Sequence, residues 1–199
     1  QEVFDECLNV LYYLLNTLDA KLVYRDNGIK ESCDIKIVVD ASYGKFPVGC
    51  AMVYLNGCLI HFGIERNKGT SITETDQLTS SMHGEVAVCF IGTKLGVHVY
   101  EVVSPITKVV LPILMTNDNK AAIFNLDGFV NNKATMHLAV KYRYITELIH
   151  KGFLVLYYEK GKIILADIGT KALPYVDHRR LATEILDFNN TYTTEIALR

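Results

Sequence analysis

Four acidic residues sit among hydrophobic neighbours. Asp40 lies near the end of the run IKIVVDAS (Ile35 to Ser42), and Glu85 opens a mostly apolar stretch that reaches Val97. Asp118 follows KVVLPILM (Lys108 to Met115), and Asp167 lies inside the apolar run Ile163 to Ile168. A charge buried in such surroundings is costly unless it is paired or holds a cation. Carboxylates from separate elements that converge on one sheet edge would repel one another, and divalent cations relieve that repulsion. Hard oxygen ligands suit Mg²⁺ or Mn²⁺. Two such ions about 3.5–4 Å apart form the clamp used in phosphodiester hydrolysis. Taken singly, an Asp at a strand or helix end also serves as a turn or capping residue. The combination carries the argument.

The elements around these acids are legible from periodicity. Phe4, Cys7, Leu8, Leu11, Leu14, Leu15 and Leu18 fall on one helical face. Leu22 to Tyr24 reads as the start of a short strand, and Asn27-Gly28 as a turn. Ile35 to Ser42, Val48 to Leu55 and Cys58 to Glu65 read as three antiparallel strands, the last two joined by the hairpin signal Asn56-Gly57. Glu85 to Val97 has helical spacing. Lys108 to Met115 reads as a central strand that Pro112 interrupts. Ala121 to Leu126 and His137 to His150 are predicted helices, the second closed by Gly152. Phe153 to Tyr158 is a fifth strand. Helices are expected over Ile163 to Lys171 and Arg179 to Phe188. The predicted order is βββ-α-β-α-α-β-α behind a helical extension.

Composition bounds the rest. The 199 residues are half hydrophobic, enough for a core without staples. The 20 basic and 22 acidic residues leave a formal charge of −2, which on its own argues against a nucleic-acid partner. The five cysteines lack metal-site spacing, and several lie in apolar runs, as free buried thiols do. That usage points to a reducing compartment. The apolar runs read as too short for a bilayer span, so no membrane partner is expected. The chain begins at Gln1 within a predicted helix and reads as a piece of a longer polypeptide.

Five segments resemble the ribonuclease H domain of Ty/copia-type retrotransposon polyproteins. Val39-Asp40-Ala41-Ser42-Tyr43-Gly44 resembles the family's first-strand Asp-Ala-Ser segment, and Ser80-Ser81-Met82-His83-Gly84-Glu85 its Ser-Thr-x-Ala-Glu helix start. Thr116-Asn117-Asp118-Asn119-Lys120-Ala121 resembles its Cys-Asp-Asn-Gln-Ser-Ala segment. The run from His137 to Ile145 resembles its Lys-His-Ile-x-x-x-Tyr-His-x-Ile helix. Leu165-Ala166-Asp167-Ile168-Gly169-Thr170-Lys171-Ala172-Leu173-Pro174 is similar to its Leu-Ala-Asp-x-x-Thr-Lys-Ala-Leu-Pro string, the most specific of the five. Upstream, Cys7 to Tyr24 is similar to the segment that joins a reverse-transcriptase thumb to this domain. The family's Ala-Glu is Gly84-Glu85 here, and the 67–82 segment is longer than usual, so Glu74 stands as the alternative second carboxylate.

The resemblance implies a ribonuclease H-like α/β fold: a five-stranded mixed sheet, three strands antiparallel and two added in parallel, flanked by helices behind an N-terminal helical extension. It implies a 1–33 connection segment, a 34–175 nuclease domain and a 176–199 helical tail. It implies hydrolysis of the RNA strand of RNA–DNA hybrids with two Mg²⁺ ions, or Mn²⁺, held by Asp40, Glu85, Asp118 and Asp167. Ser42, Asn119 and Lys120 are the expected substrate contacts, with Thr170 and Lys171 behind them. The expected partners are the hybrid and the reverse-transcriptase domain of the same polyprotein, with a homodimer through the first helix as a further expectation. The expected location is the cytoplasm, in a virus-like particle, or the nucleus. The alternative reading is a domesticated or inactive domain of the same fold that serves as a binding or scaffold module.

Overall fold

The computed structural model describes residues 2–24, 32–42, 48–66, 81–127, 139–160 and 164–188. The elements run α1 (Glu2–Asn16), β1 (Ala20–Lys21), β2 (Ser32–Cys33), β3 (Ile35–Ser42), β4 (Val48–Leu55), β5 (Cys58–Arg66) and α2 (Ser81–Val103). They continue with β6 (Val109–Val110), β7 (Ile113–Asn117), α3 (Lys120–Asp127), α4 (Ala139–His150), β8 (Leu154–Tyr158), α5 (Asp167–Thr170), α6 (Tyr175–Ile185) and β9 (Asp187–Phe188). Asn27, Gly28, Tyr43, Gly44, Glu74, Ser80, His137 and Ile163 lie outside the described residues.

β3, β4 and β5 form an antiparallel meander. Asn56 and Gly57 turn β4 into β5 with φ of 50° and 81°, the left-handed pair that a two-residue hairpin requires. β7 joins β3 in parallel and β8 joins β7 in parallel, giving the order β5-β4-β3-β7-β8. The sheet is the expected mixed one, with three antiparallel strands and two parallel additions. Two-stranded pairings of β2 with β6 and β1 with β9 accompany it.

Several boundaries differ from the sequence reading. The expected strand over Lys108 to Met115 is two pieces, β6 and β7, separated at Leu111-Pro112. Proline has no N–H for the ladder, so pairing stops there. Of the expected helix over Ile163 to Lys171, the described residues 164–171 form only the four-residue α5. The short strand forms at Ala20–Lys21 and not over Leu22 to Tyr24, and the last helix starts at Tyr175 and ends before β9. α2 runs 23 residues, longer at both ends than expected. Its Gly84–Val103 stretch is long and apolar enough to cross a membrane by length and composition, contrary to the reading of the runs as too short. It is nevertheless a core helix, packed on β3 and β4.

That packing is close because of two glycines. A Cβ at Gly92 would stand 2.8 Å from Val39 Cγ1, and one at Gly96 would stand 2.5 Å from Ile37 Cδ1. Both distances are shorter than real Cβ contacts, so a side chain at either position would force Val39 or Ile37 to shift. Ile35, Ile37 and Val39 are fully buried in the core with Val86, Cys89, Ile113 and Met115. On α4, Tyr142 is buried while Tyr144 is half-buried and meets Phe90 edge-on at 5.6 Å. One tyrosine of the pair thus points inward, as a two-residue spacing on a helix requires.

The chain divides into two units. Residues 25–173 hold the five-stranded sheet and its helices, and residues 1–24 with 174–199 make up the other. In this second unit β1 pairs with β9, and Tyr13 meets His178 edge-on at 5.4 Å. Phe4, Leu11, Leu14, Leu15 and Leu18, along α1 and just beyond it, are exposed. Cys33, Cys50 and Cys89 are buried free thiols, Cys58 is half-buried and Cys7 is exposed.

Candidate metal centre

Parallel pairing brings the first two acids together. β3 and β7 align with a constant offset: Lys36 with Leu114, Ile37 with Met115 and Val38 with Thr116. Carried two residues further, the same offset sets Asp40 beside Asp118. Both lie at the carboxyl edge of the parallel strands, where open α/β sheets place their ligands. Glu85, in the first turns of α2, reaches the same edge because Gly92 and Gly96 hold that helix against β3. Asp40, Glu85 and Asp118 each offer a carboxylate oxygen, and these oxygens lie within 4.8 Å of one another. Asp40 and Glu85 are 1% and 3% exposed.

Asp167 belongs to a different part of the site and stands outside this group of three. It is the first residue of α5, which packs on β4 and β3. Here too a glycine sets the distance: a Cβ on Gly169 would lie 2.6 Å from Cys50 Sγ, and Cys50 pairs with Asp40 across β4 and β3. The close approach delivers Thr170 and Lys171 to Asp40. The Thr170 hydroxyl donates to Asp40 Oδ2. Lys171 Nζ donates to Asp167 Oδ1 at 2.5 Å and to Asp40 Oδ1 at 3.4 Å. Lys171 therefore links Asp167 to Asp40.

Asn117 holds the centre from behind. Its Nδ2 donates to Glu85 Oε2 at 2.8 Å, and its Oδ1 accepts the Asn119 N–H at 2.7 Å. Asn119 in turn caps α3, its Oδ1 accepting the Ala122 N–H at 3.0 Å. Asn117 was not among the expected site residues, although a polar residue closing a buried strand directly before Asp118 is the signal that marks it.

The fields at the site follow from burial and like charge. Burial, together with Asp40 and Asp118, pushes the Glu85 carboxyl up to about 8 against the opposing hydrogen bond from Asn117. Asp118 is raised by burial and by Asp40. Asp167 is raised by burial and Asp40, against the pull of Lys171. For Lys171, burial works against the charge, but the bond to Asp167 and the fields of Asp40 and Asp118 win, and its pKa is raised. This site favours positive charge, and its donors are all carboxylate oxygens. An oxygen-seeking divalent cation fits these residues.

An open cleft of about 590 Å³ lies over the site. Asn119, Lys120 and Tyr158 line it beside Asp40, Glu85, Asp118 and Lys171. Lys120 Nζ lies 4.7 Å from the centre of the Tyr158 ring, a cation–π contact. Of the expected substrate contacts, Asn119 and Lys120 therefore face the cleft. Ser42 does not line it, and its hydroxyl donates to Val48 O at 3.4 Å.

The chain matches no protein-family profile and none of the curated proteins. Among solved structures it is similar to LC11-RNase H1, isolated from compost by a metagenomic approach, with 15% identity and a TM-score of 0.40 over 79% of this chain and 94% of that one. It is also similar to the prototype foamy virus protease-reverse transcriptase. The CSH mutant of that protein is 14% identical with a TM-score of 0.43, and the native form is 14% identical with a TM-score of 0.39. Each of the two alignments covers 82% of this chain and 22% of the foamy virus chain, so this chain spans under a quarter of that protein.

Proposed function

We propose that this chain is a ribonuclease H that hydrolyses the RNA strand of RNA–DNA hybrids. The observation that carries the reading is the convergence of the Asp40, Glu85 and Asp118 oxygens within 4.8 Å at the carboxyl edge of a ribonuclease H-like sheet. Asp40, Glu85, Asp118 and Asp167 are the proposed ligands of Mg²⁺ or Mn²⁺, with Asp40 shared between the two halves of the site. Bound divalent ions would supply an activated water and stabilise the leaving oxygen. The chain's own residues do the positioning. Asn117 fixes Glu85, Thr170 fixes one oxygen of Asp40, and Lys120 offers a cation to a backbone phosphate in the cleft. A hybrid is read by its minor-groove shape and 2′-hydroxyls, which suits an open cleft with few base-reading groups.

The segments quoted above support an origin in a Ty/copia-type polyprotein, where the domain follows a reverse transcriptase in the cytoplasm or nucleus. The exposed apolar residues of α1 suit a joint to that polymerase, and a homodimer is the competing occupant. The second reading, an inactive scaffold of the same fold, draws on one observation: Lys171 already pairs with two of the four acids. Cleavage of a labelled hybrid with Mg²⁺ or Mn²⁺ separates the readings. Wild type should cleave, and Asp40→Asn should be slower by more than about 100-fold, since outer-sphere partners of a metal alone account for about 10- to 100-fold. A folded wild-type chain that leaves the hybrid intact would favour the scaffold.

A further inference from the structure

We infer that Lys171 is a built-in cation that occupies the Asp40–Asp167 side of this centre, so that without nucleic acid the wild-type chain binds one divalent ion at Asp40, Glu85 and Asp118, and Asp167 becomes a ligand only when Lys171 is displaced. The inference rests on the nuclease reading above and deepens it. Its basis is the unequal treatment of the four acids. Three oxygens, from Asp40, Glu85 and Asp118, surround one point closely enough to share an ion. The remaining pairing, Asp40 with Asp167, is spanned by an ammonium that touches both, at 3.4 Å and 2.5 Å. Asp40 uses one oxygen for Lys171 and the other for Thr170, so its outer lone pairs are already engaged on the α5 side.

The lysine is held there by the fold. It follows Asp167 by one helical turn, and α5 is pinned against β4 at Gly169, where no side chain fits. An ammonium and a hydrated divalent ion cannot share the space between the same two carboxylates. The ammonium is tethered, so it does not dissociate, and a second ion must displace it. The Lys171 side chain is 40% exposed, so its tip can also face a phosphate laid in the cleft. Lys171 would then offer a fixed positive charge to that phosphate beside the metal ligands.

The test counts ions, which a purely structural lysine would leave unchanged. Mn²⁺ uptake is measured by calorimetry and electron paramagnetic resonance, in the absence of nucleic acid, for wild type, Lys171→Met and Lys171→Arg. Melting of the same proteins in chelator is followed alongside. Wild type and Lys171→Arg should take up one Mn²⁺ per chain and Lys171→Met two. Without metal, Lys171→Met should melt about 2–4 °C lower, because two buried carboxylates lose their cation. Two ions in wild type, or equal numbers in wild type and Lys171→Met, would overturn the inference while leaving the nuclease reading intact. The wild-type count stands even if Lys171→Met does not fold. No Mn²⁺ on any of the three folded proteins would overturn the metal reading itself, and this inference with it.

Discussion

Glu85 is 3% exposed and faces two further carboxylates, and its protonation follows from that. Its folded value of about 8 lies above the ordinary 4.5. Folding therefore favours the protonated form. The stability this gives is fully present below the unfolded pKa and is lost as pH rises through the folded one. Asp118 and Asp167 are raised too and act in the same direction. Lys171 does not offset this, since its contribution is lost only above its unfolded value of 10.5. The metal-free chain should thus melt progressively lower between about pH 5 and about pH 9. Saturating Mn²⁺ should reverse most of that loss, because the ion binds the charged form, and Glu85→Gln should flatten the metal-free profile. Thermal melts across pH check both, and a metal-free profile that rises over this window would refute the assignment. Cleavage should rise with pH toward about 8 for the same reason.

At the scale of elements, a few contacts without side chains carry the geometry. α2 brings Glu85 to Asp40 only because Gly92 and Gly96 admit Val39 and Ile37 into the helix surface. Gly92→Val should push α2 from β3. It should cost about 1–3 kcal/mol in urea unfolding, as overpacking of a close-packed core does. The gain in helix propensity on losing a glycine is below about 1 kcal/mol, so the clash decides the sign. Equal or greater stability in the variant would show that α2 is less tightly seated. These contacts were not legible in the sequence. Gly92 and Gly96 read as ordinary breaks in an apolar helix, and Gly169 as one letter of a resemblance. The four-residue length of α5 was equally hidden, because Ile163 to Lys171 has helical spacing that packing against β4 overrides. Strands β3, β4 and β5 and helix α4 were legible, because their apolar periodicity and the Asn56-Gly57 turn are local signals.

For the whole molecule, charge is the controlling quantity. The chain carries −2 before any ion binds. One divalent ion adds 2, and −2 + 2 leaves about zero. With no basic excess, affinity for a hybrid must come from the metal centre and from a few cations such as Lys120 and Lys171 at the cleft. Binding by this chain should be weak and should fall steeply between about 50 mM and about 200 mM salt. Fluorescence anisotropy with a labelled hybrid, in Ca²⁺, measures this directly. Nanomolar affinity at physiological salt would show a basic surface beyond the cleft.

The order of the five sheet strands and their main helices was legible in the sequence, which also marked Asp40, Glu85, Asp118 and Asp167 as acids in apolar surroundings. Both are properties of near neighbours along the chain: periodicity sets an element, and a carboxylate among hydrophobics signals a charge that needs a partner. How the four divide depends on long-range packing. The β3–β7 register sets Asp40 beside Asp118, the seating of α2 adds Glu85, and the approach of α5 gives Asp167 to Lys171. Contacts between residues 130 positions apart, such as Thr170 with Asp40, depend on how closely elements approach. That distance is fixed by which side chains are absent at the interface, and no local pattern encodes it.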